Sequence, residues 1–138
     1  MDLWKKQFHI AIKELTEQGY QPVVLRFTDS HYDTVNDLLG EVIDAEALVI
    51  AAATYETSIF PYMQYVVNMI AQKIASEKPV LILSSYGWGG IAGKRIASIL
   101  SQAGFKVVDI IEFRGLPAGD TEENIKRRVK EFIKILQA

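Results

Sequence analysis

Pro79-Val80-Leu81-Ile82-Leu83-Ser84-Ser85-Tyr86-Gly87-Trp88-Gly89-Gly90 is the stretch from which the rest of the chain can be read. Its first five residues are apolar without alternation, the pattern of a strand buried on both faces. Ser84 to Gly90 then reads as a turn, and Ile91 to Ala103 has helical spacing up to a stop at Gly104. Three glycines in four positions let a backbone come close to a ligand. Tyr86 and Trp88 stand among them. In a strand-to-helix turn this combination suits a flat aromatic ligand, because open α/β sheets bind ligands outside the carboxyl ends of their strands. The competing reading is a glycine-rich turn whose two aromatics simply cover the sheet end.

Upstream, Ala47 to Ala53 is a second apolar run without alternation. A loop, Thr54-Tyr55-Glu56-Thr57-Ser58, follows it. Pro61 then suits the first position of a helix whose inner face is Met63, Val66, Val67, Ile70 and Ile74. Further back, Trp4, Phe8, Ala11, Ile12 and Leu15 recur at helical spacing, with Asp2 as N-cap and Gly19 in the C′ position. Pro22 to Phe27 reads as a short strand, and Asp33 to Val42 as a helix using Val35, Leu38, Leu39 and Val42. Downstream, Lys106 to Phe113 is the last strand. A final helix capped by Thr121 carries Ile125, Val129, Phe132, Ile133 and Leu136 inward. Alternation of this kind predicts a three-layer α/β/α parallel sheet with four strands, in a single domain over residues 1–138.

The totals narrow the function classes. Fifteen basic against 17 acidic residues give a charge of −2, which argues against nucleic acid or an anionic membrane as partner. With no cysteine, thiolate metal sites, iron–sulfur clusters and thiol nucleophiles are excluded. No apolar run is long enough to span a bilayer, and the amphipathic start has no signal-peptide pattern, so a cytoplasmic location is expected. His9 and His31 read as surface histidines, Met63 and Met69 as core, and Lys126-Arg127-Arg128 as the solvated face of the last helix. No metal site is expected.

Thr54-Tyr55-Glu56 after one strand and Ser85-Tyr86-Gly87-Trp88-Gly89-Gly90 after the next resemble the two flavin-contacting loops of flavodoxin-like proteins. The likeness is greatest to the flavodoxin-like domain of the flavodiiron (A-type) flavoproteins, with Ile59-Phe60-Pro61 also in place. The resemblance covers nearly the whole chain. It implies FMN held at the strand ends, electron transfer through it and a redox partner protein. Thr54, Tyr55 and Glu56 would contact the flavin from one side. Ser85, Tyr86, Gly87, Trp88, Gly89 and Gly90 would contact it from the other.

The chain also departs from that family. The first strand and the hydroxyl-rich phosphate loop that precede the first helix in the family have no counterpart before Leu3. An N-terminally truncated sheet is therefore expected. Either the chain belongs to a longer one, or a second copy completes the sheet, or Val23–Phe27 pairs directly with Leu48–Ala53. The exposed edge of such a sheet invites self-pairing, which predicts a homo-oligomer. Without that loop, FMN loses several charge-assisted hydrogen bonds of about 1.5–3 kcal/mol each, and its affinity falls by orders of magnitude. Two alternatives stay open. One is a flavin-free flavodoxin-like assembly module. The other is NAD(P) binding, since Gly87-Trp88-Gly89-Gly90-Ile91-Ala92 fits G-x-G-x-x-A and Glu112 falls where a ribose-binding acid belongs.

Overall fold

Val80, Leu81, Ile82 and Leu83 are all 0% exposed, which places their strand at the centre of a sheet covered on both faces. The computed structural model describes residues 3–24, 35–55, 58–59, 61–74, 76–86, 91–114 and 120–138. Its elements in chain order are α1 (Leu3–Glu17), α2 (Val35–Asp44), β1 (Leu48–Tyr55), β2 (Ser58–Ile59), α3 (Pro61–Lys73), β3 (Pro79–Tyr86), α4 (Ala92–Gln102), β4 (Lys106–Arg114) and α5 (Asp120–Gln137). The sheet order is β2-β1-β3-β4. β1, β3 and β4 run parallel, whereas β2 pairs antiparallel with the end of β1.

Side-chain alternation along β3 divides the core in two. Val80 and Ile82 face a layer built from Leu38 and Val42 of α2, Val66, Val67 and Ile70 of α3, and Ile96 and Leu100 of α4. Leu81 and Leu83 face the opposite layer, made by Ile10, Ala11 and Leu15 of α1 with Ile125, Val129, Phe132 and Ile133 of α5. Three layers, α/β/α, follow as expected. Full burial of one such aliphatic side chain stabilises by about 1.5–3 kcal/mol, so these rows hold the layers together.

Both glycine stops are present. Gly19 (φ +91°) and Gly104 (φ +101°) adopt the left-handed conformation that only glycine enters without strain. Tyr20 N–H donates to Leu15 C=O and Gly19 N–H to Thr16 C=O, and Phe105 and Gly104 repeat the pattern on Leu100 and Ser101. These are Schellman closures, which satisfy carbonyls left over at a helix end. At the end of α2, Lys78 Nζ donates to the carbonyls of Val42 and Ile43, each at 2.5 Å.

Several expectations are corrected. Four parallel strands become three among the described residues. Pro22 to Val24 lie outside any strand, with Val23 64% exposed and Val24 half-buried. Leu25 to Phe27 lie outside the described residues. Strands β1 and β3 run two and three residues further than their apolar runs, because ladder pairing continues into Ser84 and Ser85 regardless of side-chain polarity. The Thr54–Ser58 loop gives way to pairing of Thr54 with Ile59 and Tyr55 with Ser58. Helix α5 begins at Asp120, one residue before the expected cap. On α1, Phe8 and Ile12 are half-buried while Ile10 is buried. The inner arc is therefore rotated from the one the larger apolar residues suggest, and it includes Glu14.

Candidate functional site

Strands β1 and β3 pair in register from Leu48↔Val80 to Ala53↔Ser85. Beyond that pairing β1 continues to Tyr55 and β3 to Tyr86, both at the carboxyl edge of the sheet. Of the candidate ligand contacts, Thr54, Tyr55, Ser85 and Tyr86 therefore belong to adjacent strand ends rather than to free loops. Glu56, Gly87, Trp88, Gly89 and Gly90 lie outside the described residues. β2 folds back along the end of β1 and also packs against α4, which starts at this same edge. The region thus gathers two strand ends, a short hairpin and a helix N-terminus. Brought together at a parallel sheet's carboxyl edge, these are the elements of a ligand site.

Two features of this edge do not show in sequence periodicity. Ser84 is 0% exposed, and its Oγ has no hydrogen-bond partner. It faces α4, in one row with Ala52 of β1 and Glu112 of β4. Above it lies Gly93, where a Cβ would stand 2.9 Å from Ile110 Cγ2, 3.2 Å from Ser84 Cβ and 3.6 Å from Ser84 Oγ. Gly93 thus lets the first turn of α4 settle onto the strand. The signal was a glycine inside a helical pattern, which commonly marks a close approach.

The basic run on α5 needs a correction. Lys126 is half-buried and pairs with Glu122 at 3.5 Å and Glu123 at 3.7 Å, as a helix face should. Arg128 instead turns inward. Its Nε donates to Asp109 Oδ2 at 2.8 Å, a second nitrogen reaches Asp109 Oδ1, and Nη2 also donates to the Ile110 carbonyl at 2.9 Å. The Asp109 carboxylate holds the guanidinium above its usual range, chiefly through these hydrogen bonds. The neighbouring Val129 is a core residue, which carries Arg128 to the rim of the helix–sheet contact. A register irregularity between Val80 and Leu81 leaves Val108 unpaired and aims Asp109 at α5.

His9 is exposed, and Met63 packs against the core, both as expected; His31 lies outside the described residues. No helix among the described residues is long and apolar enough to cross a membrane.

No protein-family model matches the chain. An uncharacterized protein of Methanocaldococcus jannaschii is 28% identical over 121 residues, covering 86% of this chain and 29% of that protein. A nitric oxide reductase of Moorella thermoacetica is 27% identical over 104 residues, covering 75% of this chain and 25% of that protein. The chain therefore spans between a quarter and a third of the length of these relatives. Among solved structures, a flavo di-iron protein mutant from Thermotoga maritima superposes with a TM-score of 0.86 at 29% identity, over 97% of this chain and 33% of that one. A flavodoxin from the domain Archaea gives 0.81 at 18% identity, over 99% of this chain and 92% of that one, a likeness of fold alone. The chain is a flavodoxin-like α/β domain whose likeness, in sequence and backbone together, is to the flavodiiron proteins.

Proposed function

We propose that this chain is an electron-transfer module that binds FMN at the joined carboxyl ends of β1 and β3. The observation that carries the reading is the in-register pairing up to Ala53↔Ser85. It brings the end of β1 beside the end of β3, and the two segments whose sequence resembles flavin-contacting loops, Thr54–Tyr55–Glu56 and Ser85–Tyr86–Gly87–Trp88–Gly89–Gly90, begin at these strand ends. The site also fits a planar ring in its chemistry. Backbone amides leaving the strand ends would hydrogen-bond the ring edge, and Tyr55, Tyr86 or Trp88 would stack on its face. Bound FMN supplies transfer of one or two electrons. The chain's part is to position the ring and, through Glu56, to disfavour negative charge beside it.

The account includes a redox partner protein and a second chain that completes the sheet beside β1. Titration of FMN and riboflavin against the purified chain, followed by quenching of flavin fluorescence, tests the binding. Saturable quenching is expected, and none at high micromolar flavin would end the flavin reading. A second reading is a flavin-free assembly module. It is favoured by Leu48–Ala53 having no strand partner on the side away from β3 among the described residues. A purified protein with flavin absorbance in the visible supports the first reading, and a colourless one that takes up no added flavin supports the second.

A further inference from the structure

We draw no further inference here: the strongest candidate, the outer edge of β1 from Leu48 to Ala53, unpaired on the side away from β3 among the described residues, already belongs to the proposed function, and nothing in the structure shows which segment covers it.

Discussion

Two residues show best how local chemistry departs from pattern. Glu14 sits between Ile10 and Ala11 on the inner arc of α1, is 5% exposed, and has an Oε2 without a hydrogen-bond partner. A buried polar group left unpaired costs about 1–3 kcal/mol. Glu14→Met is therefore expected to stabilise the fold by about 1 kcal/mol or more, measured as a higher urea midpoint at unchanged slope. A lower midpoint would show that the carboxylate is doing structural work. Gly93 gives the opposite sign. An added methyl at 2.9 Å from Ile110 Cγ2 must push apart α4 and the sheet, so Gly93→Ala should cost about 1–3 kcal/mol by overpacking. An unchanged midpoint would mean that the helix can lift without penalty.

Among the elements, those with one dominant period were legible from the sequence. Helices α3 and α5 bury most of the residues their spacing indicates, and the run ending at Leu83 is the fully buried strand, whereas Leu48 to Ala51 of β1 are half-buried. The strand ends were less legible, because Thr54, Tyr55, Ser84, Ser85 and Tyr86 look like turn chemistry, while backbone pairing disregards their polarity. The inward turn of Arg128 was hidden for a related reason. In a basic run on a helix, only tertiary placement decides which cation meets a carboxylate. That contact fastens α5 to β4. Because the pair is only part-buried and water still reaches it, Arg128→Met should cost only about 1 kcal/mol. Double-mutant analysis with Asp109→Asn should show the two losses to be non-additive. Strict additivity would mean that the pair is decorative. The two candidate motifs could be read in order, but that the strands leading into them are neighbours required the register of β1 against β3.

The two sides of the sheet differ in how they meet a further strand. On β4, Val108 interrupts the register and Arg128 takes the Ile110 carbonyl, both devices that discourage pairing at an edge. On β1, Leu48 to Ala53 shows no comparable obstruction among the described residues. A second chain is expected on that side, so light scattering should give a mass of two chains or more. The mass of one chain would contradict it. The central claim is that the ends of β1 and β3 form one clamp for a planar ring. Amide NMR of the chain with riboflavin, which has no phosphate to seat, tests this most directly. The account predicts that Thr54, Tyr55, Ser85 and Tyr86 shift together along a single saturation curve. Shifts at one strand end only, or at neither, would contradict it.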